Sequence, residues 1–546
     1  VFKSSLFFLL ILIINHSSAQ SVWKLPEVIQ PRFRETVYPI TKYGAVPDGY
    51  RLNTRSIQAA IDECSSKGGG TVVVPAGLWL TGPLVLKSDV NLNLAAGATL
   101  LFTKDKTQYP LVKANWEGYP QMRNQSPLSA ENAVNIAITG KGIIDGNGDA
   151  WRAVKKDKLT ASQWKKLVAS GGVVDDNDMW MPSESYAKGS HLKEPGRFSP
   201  DKNAAFYESV KDFLRPNLLV LTSCDKVLLE GVTFQNSPAW CLHPLMSSNI
   251  TVRNVFVKNP WYAQNGDGID LESCRNVLIE NSVFDVGDDA LCMKSGRDAD
   301  GRKRAMPTKD VIIRGCTVYA SHGGFVVGSE MSGGIWNVYV SDCTFVGSDI
   351  GLRFKTTRGR GGIVENIFIK NVFMKDIPGD AVLFDMYYMG RDPVPMAGEK
   401  RELPKVEKFP VDETTPQFRN IEISNVYVNG AQRAVFLRGL PEMAVKNISI
   451  SNAVFQSKQG IEIQESSGIR FKNVQVYSDN TNPVVDIING RDIRFDQFGY
   501  SNNANTLLRL SGGNTRNIGF QNTTYKNVTN KVAATLGATE AAVSFK

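Results

Sequence analysis

One phrase recurs along this chain: a polar pair, then apolar residues at every second position, then an Asn or Cys and further alternation. Arg275-Asn276-Val277-Leu278-Ile279 and Lys309-Asp310-Val311-Ile312-Ile313 are two copies; Glu365-Asn366-Ile367 and Lys446-Asn447-Ile448 begin others. With the first apolar residue as marker, the copies fall at 227, 250, 277, 311, 338, 367, 421, 448, 469, 493 and 518, separated by 21 to 34 residues except for one interval of 54. A period in the twenties with strand-like alternation means short strands stacked coil on coil, each coil burying its apolar face against its neighbours. Helical repeats are disfavoured, because Val, Ile and Asn recur at period two rather than Leu and Ala at 3.6. Leucine-rich repeats need Leu at fixed offsets, which are missing. The sequence predicts an all-β chain: a right-handed parallel β-helix, with Asn and Cys forming ladders at equivalent positions.

Earlier coils are expected at Asp89-Val90-Asn91-Leu92 and Asn135-Ile136-Ala137-Ile138. Before them, Ile57, Ala60 and Ile61 have helical spacing between Ser56 and Cys64, and Gly68-Gly69-Gly70 ends the segment, so a helix should cap one end of the solenoid. Such a cap blocks edge-to-edge association. Residues 151 to 216 break the period, and Thr160 with Gln163 forms a capping-box pattern ahead of Trp164, Leu167 and Val168. This is read as a partly helical insertion walling a binding face. The interval of 54 is either two coils or one coil with an excursion.

The remaining features bound the function class. Lys3, the apolar run Leu6 to Ile14 and Ser17-Ser18-Ala19 predict a signal peptide over residues 1–19, leaving 20–546 as one parallel β-helix domain that is exported to a periplasm or the extracellular space. No later run is long enough for a transmembrane helix. Seven cysteines are an odd number for an exported chain and include no CxxC pair, so buried stacked thiols are expected. Past the signal, His191, His243 and His322 are too dispersed for a histidine-based metal centre. A net charge of +8 suits a polyanionic ligand.

Acidic residues concentrate in two adjacent coils, Asn265-Gly266-Asp267-Gly268-Ile269-Asp270 and Gly287-Asp288-Asp289. Asp267 and Asp288 stand about one coil apart and are expected to lie nearly one above the other, about 4.8 Å per coil. Stacked carboxyls repel, which raises one pKa and leaves a partner ionised, as general acid–base chemistry requires. His322, then Arg353 and Lys355, follow on the next coils. An isolated Asp-Asp is ordinarily a solvated turn, and four aspartates on one side could hold calcium. The coincidence of carboxylates, imidazole and cations on consecutive coils favours catalysis. Adjacent Asp288 and Asp289 can share a cleft only if the backbone bends, which Gly287 permits.

These motifs, with Ser321-His322-Gly323-Gly324, Arg353-Phe354-Lys355 and Tyr43-Gly44-Ala45-Val46-Pro47-Asp48-Gly49, resemble the polygalacturonase family, glycoside hydrolase family 28, over roughly residues 40 to 535. Family members usually carry Thr at the position of Gly266 and Gly at that of Ser321. The resemblance implies Asp288 as general acid, Asp267 and Asp289 as the pair activating water, inversion at the anomeric carbon, and His322 supporting the proton state of the acid. Arg353 and Lys355 would bind a uronate carboxylate, with Asn265 a further hydrogen-bond partner.

The resulting reading is an inverting hydrolase of α-linked galacturonic acid in pectin, leaning to exo action because the insertion and the excursion from Arg391 to Gln417 could close the groove. A rhamnogalacturonan or xylogalacturonan hydrolase would share these residues. A β-helix polysaccharide lyase and a non-catalytic carbohydrate-binding module are the readings from other classes. A pectic polysaccharide or oligogalacturonide is the expected partner of a monomer, with no cofactor, metal, nucleic acid or membrane.

Overall fold

The computed structural model describes residues 25–389, 407–501 and 503–546. The predicted signal peptide and part of the excursion beyond Arg391 lie outside the described residues. Among the described residues, thirty-five strands join one sheet system in which the pairings are parallel, wound as a right-handed β-helix. Each coil contributes a marker strand, a short second strand and a third strand on the face that carries the acidic motifs. Arg275–Glu280, Val283–Asp285 and Asp289–Lys294 make one coil; Thr308–Arg314, Thr317–Tyr319 and Gly323–Val327 make the next.

The repeat phrase maps onto register. Val227 pairs with Ile250, Ile250 with Val277, Val277 with Val311, Val311 with Val338, Val338 with Ile367, and Ile421 with Ile448. These residues are buried, so one apolar column runs down the core. Ile367 pairs directly with Ile421, which makes the long interval one coil with an excursion. The residue before each marker turns the chain: Asn249, Asn276, Asp310, Asn337 and Asn366 all have φ between 52° and 58°. Asn and Asp tolerate this left-handed conformation better than other residues with a side chain, which is why the phrase carries them. Their amides also bond along the stack, Asn337 to Asp310 and Asn447 to Asn420, both at 3.0 Å.

All seven cysteines are free and buried. Cys316 and Cys343 occupy equivalent places on adjacent coils, one residue before the paired Thr317 and Thr344. The capping helix spans Thr54–Ser66 and buries Ile57, Ala60, Ile61 and Cys64. Within residues 151 to 216 lie the helices Ala161–Ala169, Glu184–Ser190 and Ala204–Ser209 and a three-stranded sheet. The Thr160–Gln163 capping box forms, although the helix it starts buries none of its residues.

Two elements carry no repeat signature and were not anticipated. A β-hairpin of Leu111–Trp116 and Tyr119–Asn124 projects from the turn before a third strand, and a helix over Asp298–Arg304 follows another. Both bear on the site.

Candidate active site

The third strands present two outward rows. Pairing aligns Ser129, Val220 and His243, and continues through Asp270, Cys292, Val326 and Arg353. Two positions further along their strands stand Glu272, Lys294 and Lys355. The acidic motifs sit where the chain turns onto these strands.

The register differs from the expected alignment by one residue. Ile269 pairs with Leu291 and Asp270 with Cys292, so Asp267 aligns with Asp289 rather than Asp288. Asp288 instead aligns with His322, because Asp289 pairs with Gly323 and the His322 amide donates to the Asp288 carbonyl at 3.0 Å. Gly287 and Asp288 form a bend before the strand begins at Asp289. A Cβ on Gly287 would lie 2.4 Å from the Pro260 carbonyl oxygen, so only glycine lets the bend pack against the neighbouring loop.

This geometry gathers the predicted residues. One oxygen from each of Asp267, Asp288 and Asp289 lies within 4.8 Å of the other two. Asp288 accepts from the Asn265 amide at 3.2 Å and the Asp289 amide at 3.0 Å, and lies 3.3 Å from His322 Nδ1. Asp289 accepts from Arg353 at 3.1 Å on one oxygen and from Lys355 at 2.6 Å on the other. Asn265 has φ 54°, and its side chain accepts from Arg215 at 2.8 Å, so its backbone rather than its amide group serves the carboxyl cluster.

Charge within the cluster is unequal. Burial, then Asp270, Asp288 and Asp289, push the Asp267 carboxyl well above the carboxylate range. Burial opposes ionisation of Asp289 too, but Lys355, Arg353 and Lys294 outweigh it and hold that carboxyl well below the range. The hydrogen bond to Asp288 raises the His322 imidazole against the opposing effect of burial. One carboxyl is therefore pushed toward its neutral form beside another pushed toward its charged form. Three oxygens this close suit a cation by distance alone, but both oxygens of Asp289 are already paired with Arg353 and Lys355, so the donor set is poor for calcium.

A match to the model of glycosyl hydrolases family 28 covers residues 201–400. A probable polygalacturonase of Vitis vinifera is 30% identical over 423 residues, 76% of this chain and 73% of that protein. An exo-poly-alpha-D-galacturonosidase of Dickeya chrysanthemi is 34% identical over 366 residues, covering 64% and 57% of the respective chains. The crystal structure of a Thermotoga maritima exopolygalacturonase superposes with a TM-score of 0.64 at 30% identity, over 82% of this chain and 93% of that one. The chain belongs to glycosyl hydrolase family 28.

This family 28 glycoside hydrolase surrounds its carboxyl cluster with features that the repeat did not reveal. Tyr388 lies over Lys355 at 4.9 Å and Arg353 at 5.8 Å, a cation–π lid on the two cations. Beneath them, Lys294 binds Glu330 at 2.9 Å and approaches Asp270 at 3.6 Å. Burial favours the neutral form of Glu330, but Lys294 and Arg360 hold it down to about 2. Nothing periodic marks Glu330 or Tyr388.

The hairpin decides the shape. It leaves the wall formed by the turns before the third strands and reaches the opposite wall, where Glu117 meets Arg297 at 3.2 Å, the Tyr119 hydroxyl donates to Asp298, and the Gly118 carbonyl accepts from Arg304 at 3.5 Å. Trp116 stacks on Trp240 with centroids 5.4 Å apart, and Trp240 also meets His243 and Lys294. The insertion braces the hairpin from behind through Arg197, whose guanidinium lies 3.8 Å from the Tyr119 ring centroid. On its other side the cluster opens into a cleft of about 590 Å³ lined by His322, Asp349, exposed Trp261, Lys155 and Lys158.

Proposed function

We propose that this enzyme hydrolyses α-linked galacturonic acid in pectin from chain ends, with inversion. The observation that carries the reading is the carboxyl cluster itself, in which Lys355 and Arg353 hold Asp289 well below the carboxylate range while Asp267, within 4.8 Å, is pushed well above it. Asp288, in contact with His322, is the general acid for the glycosidic oxygen. Asp289 accepts the proton of the attacking water, and Asp267 helps to hold that water. Arg353 and Lys355 supply positive charge to a uronate as well as to Asp289, and Trp261, Lys155 and Lys158 extend an aromatic and basic surface suited to acidic sugars.

Inversion is favoured because both Asp289 oxygens are anchored by cations, which leaves the carboxylate able to hold water but not to swing onto the anomeric carbon. Spacing pulls the other way: retaining pairs stand roughly 5–5.5 Å apart and inverting pairs roughly 6.5–9.5 Å. The anomer formed first therefore tests the mechanism directly. Exo action is supported by the hairpin, which blocks the groove beside the cluster. The apolar run near the start supports export, and the helix covering the solenoid end supports a monomer of one catalytic domain.

The test is product analysis on polygalacturonate with EDTA present. Monomers released without ultraviolet absorbance, of inverted anomeric configuration, are the expected result, and replacing 116–119 by a short turn should shift products toward oligomers. Unsaturated products would make the enzyme a lyase. Activity confined to rhamnose- or xylose-bearing pectins would move the substrate within the family.

A further inference from the structure

The hairpin that closes the catalytic groove also creates a second concavity. Its floor is the same outward row: Ser129 and Val220 pair in register with His243, whose row continues into Asp270, Cys292 and Arg353. Trp116 and Trp240, stacked, stand between the two parts, since Trp116 lines the second concavity while Trp240 faces Lys294 on the catalytic side. One long groove has thus been divided into two pockets. The second encloses about 310 Å³, within the roughly 300–1,000 Å³ of small-molecule sites.

Its lining is unusual for an idle crevice. Arg123 is 5% exposed, and its guanidinium lies 3.8 Å from the Trp116 centroid. Nε and one Nη of Arg123 donate to the Arg215 carbonyl, and among the described residues neither Arg123 nor buried Arg215 has a carboxylate within ion-pair distance. Burial and the neighbouring Arg215 both disfavour the charged form of Arg123, a cost that an arriving anion would offset. The side-chain oxygens of Asn115, Asn124 and Asn217, three residues of the same lining, are buried and accept no hydrogen bond. Buried acceptors without donors are rare in folded proteins and cost stability.

We propose that this pocket is a second binding site for an acidic sugar, separate from the catalytic one. The uronate carboxylate pairs with Arg123, ring hydroxyls donate to the asparagine oxygens, and Trp116 offers an apolar face to the sugar ring. Because the hairpin bars a continuous chain, the occupant is a different polymer end or strand from the one being cut, and the site anchors the enzyme on its substrate. The choice of a uronate rests on the function proposed above; the existence of the site rests on the lining.

Titration of the full chain with D-galacturonate, with D-galactose as the neutral probe, tests this. Two equivalents of galacturonate are expected, one of them lost in Ala114→Trp, which fills the pocket from the hairpin, with the melting temperature and the turnover of short oligogalacturonides unchanged. Arg123→Gln should weaken the same equivalent at least tenfold, and galactose should bind there at least about tenfold more weakly than galacturonate. A single equivalent that Ala114→Trp leaves intact would overturn the site while the proposed hydrolysis stood. Two equivalents from a protein that leaves polygalacturonate uncut would instead overturn the proposed hydrolysis and keep the site, and equal binding of galactose would overturn the uronate.

Discussion

Two faces of the same coils treat polar residues in opposite ways. On the marker face the polar side chains sit mostly at the turns, as in Asn337 bonding to Asp310, and the strands between them bury mainly apolar residues such as Val311 and Val338. On the groove face the strands themselves bury charge: Asp270, Asp289, Lys294 and Lys355 are all under 7% exposed. Backbone and coil spacing are shared, so the difference is not one of fold. Buried ion pairs seldom repay their desolvation, and a face that keeps them at consecutive coils is one where positioned charge outweighs stability.

Disabling the acid gives the largest expected effect. Asp288→Asn should lower kcat by roughly 10²–10⁴-fold with little change in melting temperature, measured on reducing-sugar release. A variant that loses stability instead would make Asp288 a structural residue like those of the marker face.

Next is the charge balance. Lys355→Met leaves Asp289 with one cation at 1% side-chain exposure, and should cost about 3–5 kcal/mol by denaturant unfolding as well as most activity. Since Asp289 is held below its unfolded value near 3.9, its contribution to stability is present above that pH and lost as pH falls below it, and the variant should lose that acid-side dependence.

A smaller effect concerns pH. The His322 imidazole is raised above its unfolded value near 6.5, so the His322–Asp288 pair holds the proton that the acid step draws on below that pH and loses it as pH rises through the higher folded value. Activity should fall along that alkaline limb, and His322→Gln should remove the limb from the pH profile of kcat/KM.

The smallest effect lies on the marker face. Asn337→Ala, at φ 56°, should cost about 1 kcal/mol without touching activity, whereas Asn337→Gly should retain the backbone conformation and cost less. A loss of activity on either change would show that the two faces are coupled.

Repeat, register, capping helix and the membership of the carboxyl cluster were legible in the chain, because a strand's period of two and a coil's near-constant length translate spacing directly into position. The alignment of Asp267 failed by one residue, since coil length varies in its turns and a single residue there shifts the partner from Asp288 to Asp289. The roles of Lys294, Glu330 and Tyr388 were not legible, because a buried ion pair or an aromatic lid leaves no period.

The amino-acid sequence by itself determined that this chain winds into stacked strands with acidic, imidazole and cationic groups on neighbouring coils; local alternation and turn chemistry suffice for that. Only the tertiary structure decided which carboxyl is pushed toward its neutral form and which toward its charged form, since that depends on burial and on cations brought from two coils away. It also decided that the groove is divided, because a hairpin's reach to Arg297 and Asp298, some 180 residues on, is set by packing across the surface and not by any local pattern.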